Sequence, residues 1–176
     1  MRVIAGKMRG LKLAELSGDD IRPTTDRVKE NIFNLIAGCI AHAEVLDLFA
    51  GTGALGIEAV SRGAAHAVFC DRSEASLAVA RTNVARARLE NSVELVHDDA
   101  LSYLKHCSRQ FDLIFLDPPY QSGLLDNVAA LLWEYGIVKE GGIVVAEHDV
   151  SCEVHAPFEV WKDRQYGRTQ ITVYRA

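Results

Sequence analysis

A chain of 176 residues that is 49% hydrophobic can bury one substantial core but not the cores of two ordinary domains. With 24% charged residues and a formal net charge of -5, and with no repeat, low-complexity run or long polar tract, it is neither a solenoid, a disordered linker nor a uniformly basic nucleic-acid binder. The opening Met1-Arg2-Val3-Ile4-Ala5-Gly6-Lys7 lacks a signal-peptide stretch and no later segment approaches a membrane span, so one cytoplasmic domain with no membrane partner is expected.

In chain order, Arg2 to Ile4 and Leu11 to Leu16 read as two short strands around a turn at Gly6-Lys7-Met8-Arg9-Gly10, a β-hairpin. Ile21-Arg22-Pro23-Thr24-Thr25 then breaks the pattern. From Asp26, Val28, Ile32, Leu35 and Ile36 recur at helical spacing, with Thr24 or Thr25 placed to cap and Asp26 favourable in the first turn. Residues 1–40 are thus a hairpin-plus-helix extension, and residues 41–176 a core. There strands at Val45–Phe49, Ala67–Cys70, Val93–His97, Phe111–Leu116 and Gly142–Glu147 alternate with helices at Ala54–Arg62, Ser73–Leu89, Ala100–His106 and Leu124–Tyr135. Such alternation builds a parallel sheet covered by helices on both faces. Phe158–Asp163 and Thr169–Arg175 follow without a helix between them. They read as a hairpin through Arg164-Gln165-Tyr166-Gly167-Arg168 that closes the sheet with an antiparallel strand, giving a mixed, seven-stranded, Rossmann-like α/β fold.

Cys39, Cys70, Cys107 and Cys152 are far apart, and the six histidines show no HxH or HxxxH grouping. Reduced, mostly buried thiols and no metal are expected.

Gly51-Thr52-Gly53-Ala54-Leu55-Gly56 fits G-x-G-x-x-G between a strand and a helix, where glycines let a ligand approach the backbone and the helix start offers unpaired N–H groups. A dinucleotide pyrophosphate and an amino-acid carboxylate both suit that loop. Asp47, at the end of the preceding strand, breaks the tie. Its charge repels a pyrophosphate but attracts the ammonium of S-adenosyl-L-methionine, beside a sulfonium, unless it merely caps its own turn. Phe49, Gly51, Thr52 and Gly53 complete the loop. Asp71, followed by Arg72, ends the second strand about 20 residues on, where an acid accepts from ribose hydroxyls. Asp99, followed by Ala100, is the choice for the adenine amine, although Asp98 is adjacent and one of the two acids can be a helix cap.

Asp117-Pro118-Pro119-Tyr120 follows a strand expected beside the first, at the same carboxyl edge of the sheet. Successive prolines fix φ and remove two donors, so their carbonyls and the Asp117 carboxylate form an acceptor cluster for an NH2 group, and Tyr120 can stack on the ring that carries it. Two N–H···O bonds pull a planar aromatic amine toward tetrahedral geometry and aim its lone pair. The expected chemistry is direct displacement at a sulfonium methyl, with Asp117 taking the proton as charge develops.

These segments, with Arg2-Val3-Ile4-Ala5-Gly6, Arg9-Gly10, Arg22-Pro23-Thr24-Thr25-Asp26-Arg27-Val28 and Phe33-Asn34, resemble the bacterial RsmD-type 16S ribosomal RNA guanine-N2 methyltransferases over almost the whole chain. The resemblance implies a class I S-adenosylmethionine-dependent enzyme that methylates the 2-amino group of one guanine in 16S ribosomal RNA, in an assembled or assembling small subunit.

With no separate RNA-binding module expected and a monomer as the default, the grip on RNA falls to this small domain. Arg2, Lys7, Arg9 and Lys12, with Arg22, Arg27 and Lys29, are the expected positive face for phosphates; a solvated hairpin edge protected by charges is the plainer reading. Arg164, Tyr166 and Arg168 are placed beside the target base, which must be unpaired or flipped to reach Asp117. A DNA adenine-N6 or cytosine-N4 methyltransferase would need a target-recognition insert that is missing here. A protein glutamine methyltransferase resembles Asn-Pro-Pro-Tyr instead. An RNA-binding assembly factor without chemistry would not need Asp47, Gly51, Gly53 and Asp117, and a dehydrogenase would need a second catalytic segment.

Overall fold

The computed structural model describes residues 1–16, 26–119 and 123–176. The expectations placed on Arg22, Pro23, Thr24, Thr25 and Tyr120 fall outside those residues.

After helix α1 (Asp26–Leu35) and a 3-10 turn (Ala37–Cys39), strands β1 (Glu44–Asp47), β2 (His66–Asp71), β3 (Val93–His97) and β4 (Phe111–Leu116) are separated by helices α2 (Ala54–Ser61), α3 (Glu74–Ala87) and α4 (Ala100–His106). Helix α5 (Leu124–Glu134) leads into β5 (Val138–Asp149), and β6 (Glu159–Tyr166) and β7 (Thr169–Arg175) end the chain. The seven strands form one sheet in the order β3-β2-β1-β4-β5-β7-β6. The first five pair in parallel, and β7 runs antiparallel to both its neighbours. This is the expected mixed sheet. The order reverses at β1, the switch point outside which α/β sheets hold ligands.

Strand alternation divides the core. Val45, Phe69, Phe115 and Val145 face a cluster that includes Ile32, Phe33, Ile57 and Val84 from α1, α2 and α3. Leu46, Val68, Ile114 and Val144 face Leu104, Val128 and Leu132 from α4 and α5. Both faces are covered, which is why these strands read as nearly continuous apolar runs. The glycine loop owes part of its shape to packing. A Cβ on Gly56 would lie 2.0 Å from Phe69 Cε1, so α2 reaches β2 only because that position has no side chain.

Several local expectations are corrected. The N-terminal hairpin forms, with Arg2 opposite Lys12 and the Val3 and Leu13 amides donating to the Leu11 and Met1 carbonyls at 2.9 and 3.0 Å, but its pairing is shorter than two full strands. The Ile4 and Ala5 amides donate to the Glu58 carboxylate at 2.8 and 3.0 Å, not to a partner strand. β5 begins before Gly142, with a register shift between Phe111 and Leu113 of its neighbour. The last hairpin turns tightly at Gly167-Arg168, because Tyr166 pairs with Thr169 and Gly167 sits at φ 63; Arg164 therefore belongs to β6 and not to a loop. Of the thiols, Cys70 is buried, Cys39 and Cys107 are half-buried and Cys152 is exposed. Among the described residues no helix is long and apolar enough to cross a membrane.

Candidate active site

Asp47 ends β1 almost wholly buried, at 1% exposure. Its Oδ2 accepts from the Gly56 amide at 3.0 Å, and its Oδ1 is buried without a hydrogen-bond partner. Burial pushes this carboxyl up to about 7; the Gly56 amide opposes the rise, while Asp117 and Asp71 add to it. An acceptor oxygen left over at the switch point is costly unless a donor or a cation completes it.

Asp71 shapes the glycine loop directly: Oδ2 accepts from the Gly51 amide and Oδ1 from the Ser73 amide, each at 2.8 Å. Gly51 has φ +54, and a Cβ there would meet nothing within 4 Å, so its outer side is open to a ligand. Thr52 is fixed from behind by Asn83, whose Nδ2 donates to the Thr52 carbonyl at 3.0 Å. Phe49 is half-buried against the α4–α5 cluster. Arg72 is exposed, its carbonyl 3.0 Å from His97 Nε2.

Asp99 is the N-cap of α4, with Oδ1 accepting from the Leu101 and Ser102 amides at 3.0 and 3.3 Å. Asp98 Oδ1 accepts from the Asp99 amide at 2.8 Å, and Ala100 is buried behind them. Cys70, beneath them, is pushed up to about 12 by burial and then by Asp98, Asp71, Asp99 and Asp47. Such an edge favours a cationic ligand over a polyanionic one, and the orphaned Asp47 oxygen and open Gly51 fit S-adenosylmethionine.

Strand β4 lies beside β1, with Asp47 opposite Phe115, so Asp117-Pro118-Pro119 emerges next to the glycine loop. Asp117 is half-buried, Pro118 buried and Pro119 exposed. The two prolines flank a cavity of about 330 Å³ whose other walls include Leu125, Glu147, His148 and Cys152. None of these four was selected from the sequence; the signal was a glutamate at the end of the apolar run Ile143-Val144-Val145-Ala146. Among the described residues, no cluster of His, Cys, Asp or Glu is placed to hold a metal ion.

The basic residues divide. Arg2, Lys7, Arg9, Lys12 and Arg27 are exposed, with Arg2 paired to Asp26 at 3.5 Å. Lys29 is a correction. It is fully buried, 3.4 Å from Glu58, and donates to the Arg2 carbonyl at 2.5 Å, so it belongs to the core. Burial lowers its pKa, partly offset by Glu58. Lys7 and Arg9 also lie apart from the glycine loop. The Lys7 amide donates to the Ser61 carbonyl at 2.8 Å, at the far end of α2, about 12 Å from its start at 1.5 Å per residue. The opposite end of the extension is nearer, since Ala14 is held by Asn83 through bonds of 2.7 and 3.0 Å, the same Asn83 that holds Thr52. At the other flank, the Val150 amide donates to the Arg168 carbonyl at 2.9 Å. Arg168 thus stands at the carboxyl edge, paired with Asp149 at 3.2 Å, while Tyr166 packs on the core.

A family model described as Conserved hypothetical protein 95 matches residues 1–175. YlbH of Bacillus subtilis is 38% identical over 99% of this chain and 98% of its own. The ribosomal RNA small subunit methyltransferase D of Escherichia coli is 34% identical over 99% and 89%. Among solved structures, the yhhF protein of Escherichia coli superposes with a TM-score of 0.91 at 33% identity, covering 99% and 97% of the two chains. Kinship of this extent, on a sheet edge whose charge and acceptors suit methyl transfer to an amine, places the chain in the family of Conserved hypothetical protein 95, the RsmD-type ribosomal RNA methyltransferases.

Proposed function

We propose that the protein transfers a methyl group from S-adenosyl-L-methionine to the exocyclic N2 amine of a guanine in 16S ribosomal RNA, within an assembled or assembling small subunit in the cytoplasm. The observation that carries this reading is the adjacency of β1 and β4, which sets the Asp117-Pro118-Pro119 acceptors beside Asp47 and the glycine loop. The small subunit enters through the name of the Escherichia coli relative.

Asp47 faces the ammonium of the donor, Gly51 and Gly53 admit its carboxylate end to the backbone, and Asp71 accepts from the ribose. Asp99 turns Oδ2 to the adenine amine while Oδ1 caps α4. The bound donor supplies an electrophilic sulfonium methyl. Asp117 and the Pro118 carbonyl accept the two amine N–H groups and direct the nitrogen lone pair along the S–CH3 axis. As the N–CH3 bond forms and the S–CH3 bond breaks, Asp117 accepts the proton that leaves nitrogen. Pro118 and Pro119 hold these acceptors still, since neither can rotate about φ. Arg2, Lys7, Arg9, Lys12 and Arg27 supply the phosphate contacts, and Tyr166 and Arg168 flank the approach to the base.

The test is isotope-labelled methyl transfer to small subunits lacking base methylation, naked 16S RNA and duplex DNA in parallel, read by nucleoside mass spectrometry. Labelled N2-methylguanosine from subunit RNA is expected. Label only in N6-methyladenine from DNA, or no label with S-adenosylhomocysteine still bound, would refute the proposal.

A further inference from the structure

The cavity beside Pro118 and Pro119 is larger than a single amine requires. At about 330 Å³ it falls at the small end of ligand clefts, roughly 300–1,000 Å³, a size for one extruded base. Its walls differ in what they offer. His148 is committed, with Nδ1 3.1 Å from the Asp149 carbonyl and Nε2 3.1 Å from Thr172 Oγ1. Ser151 Oγ donates to Asp149 Oδ1 at 2.7 Å. Glu153 lies on an exposed loop.

Glu147 lines the same cavity at 8% exposure, and it sits within β5, paired with Ile171 of β7. The register of β4 and β5 sets Leu116 opposite Ala146, so Asp117 and Glu147 each follow directly on the last paired position of two neighbouring parallel strands. Such strands lie about 4.8 Å apart.

Two acidic residues at neighbouring strand positions match one nucleobase edge. Guanine presents its N2 amine and, adjacent to it, a ring N1–H, two donors in succession. Adenine and cytosine present an amine next to a ring nitrogen that only accepts. An acceptor beside Asp117 therefore attracts guanine and repels the other two, and leaving a buried carboxylate against an acceptor is costly. We propose that Glu147 accepts a hydrogen bond from the N1–H of the acceptor guanine and so makes the cavity guanine-selective. This inference rests on the reading of Asp117 as the partner of the N2 amine.

Small subunits reconstituted with 16S RNA carrying either guanosine or 2-aminopurine riboside at the acceptor nucleotide separate the possibilities. 2-Aminopurine keeps the amine, but its N1 is an acceptor. The unaltered protein should favour guanosine in kcat/KM by about tenfold to a hundredfold. Glu147→Gln, whose amide can donate to N1, should narrow that preference to about threefold or less while S-adenosylhomocysteine affinity holds. Glu147→Ser, shorter and uncharged, should lose the preference as well, which covers failure of the first variant to fold. Equal rates with the unaltered protein, or an undiminished preference in a folded Glu147 variant, would overturn the assignment. No methylation of guanosine at all would overturn the reaction on which it rests.

Discussion

The two ends of α2 carry the same problem, a buried carboxylate, and solve it differently. At its start, Asp47 and Asp71 are locked by backbone amides of the glycine loop and the turn into α3, and Asp47 keeps one buried oxygen without a hydrogen-bond partner. At its end, Glu58 is equally buried, but its carboxylate is consumed internally by the Ile4 and Ala5 amides, by Lys29 and by Arg62 Nε at 2.7 Å. One acid site is left incomplete and the other is saturated. Incompleteness marks the place for chemistry, and saturation marks a clamp that holds a basic hairpin onto the domain.

That contrast can be broken most severely at its two centres. Asp117→Ala should lower turnover about a thousandfold while leaving S-adenosylhomocysteine affinity unchanged in calorimetry; near-normal turnover would remove Asp117 from the proton path. Glu58→Ala should cost about 3–5 kcal/mol in urea unfolding, because buried Lys29 loses its partner, and should expose the Ile4 and Ala5 amides to hydrogen exchange. A stable variant with protected amides would show that the hairpin is held by other means.

The glycines sharpen the comparison. Gly56→Ala forces a methyl into Phe69 and should destabilise by about 1–3 kcal/mol. Gly51→Ala meets open space, so it should cost about 1–2 kcal/mol for its left-handed backbone but lower cofactor affinity disproportionately. The ratio of the two effects in each variant is the readout.

Asp47 adds a pH signature. With its carboxyl near 7 in the folded protein against an ordinary 3.8, the folded state holds this proton longer than the unfolded chain. The group therefore subtracts stability as pH rises from about 4 to about 7 and changes nothing further above that. Asp47→Asn should flatten that part of the urea-stability profile. Binding of a cationic ligand should strengthen about fivefold from pH 6 to pH 7 in the unaltered protein and stay level in the variant. The smallest effect belongs to the hairpin tip. Lys7→Glu with Arg9→Glu should weaken RNA binding about tenfold at moderate salt and lower the salt slope by roughly 1–2, with cofactor affinity unchanged; unaltered RNA affinity would discard the tip as a grip.

Much of this was legible in the chain. The order of strands and helices followed from apolar runs punctuated by Gly and polar links, and the glycine loop and Asp117-Pro118-Pro119 were recognisable because strand-end residues are read in local context. Lys29 was misread although the signal was present: Lys29, Ile32, Phe33 and Ile36 share one helical stripe, the buried one. Glu58, alone among apolar residues in α2, carried a similar signal. Glu147 was hidden because nothing local distinguishes an acid that ends a strand at the surface from one that lines a cavity.

By itself, then, the sequence determined the parallel α/β core, the strand-to-helix glycine loop and the rigid Asp117-Pro118-Pro119 segment after β4, because hydrophobic period, glycine spacing and proline geometry act over a few residues. Tertiary structure alone decided that Lys29 is buried against Glu58, that Lys7 lies at the far end of α2, that Asn83 ties Ala14 to Thr52, and that Glu147 lines a cavity with Pro118 and Pro119. Those facts depend on contacts between residues distant in the chain, whose partners are set by how strands register and helices pack.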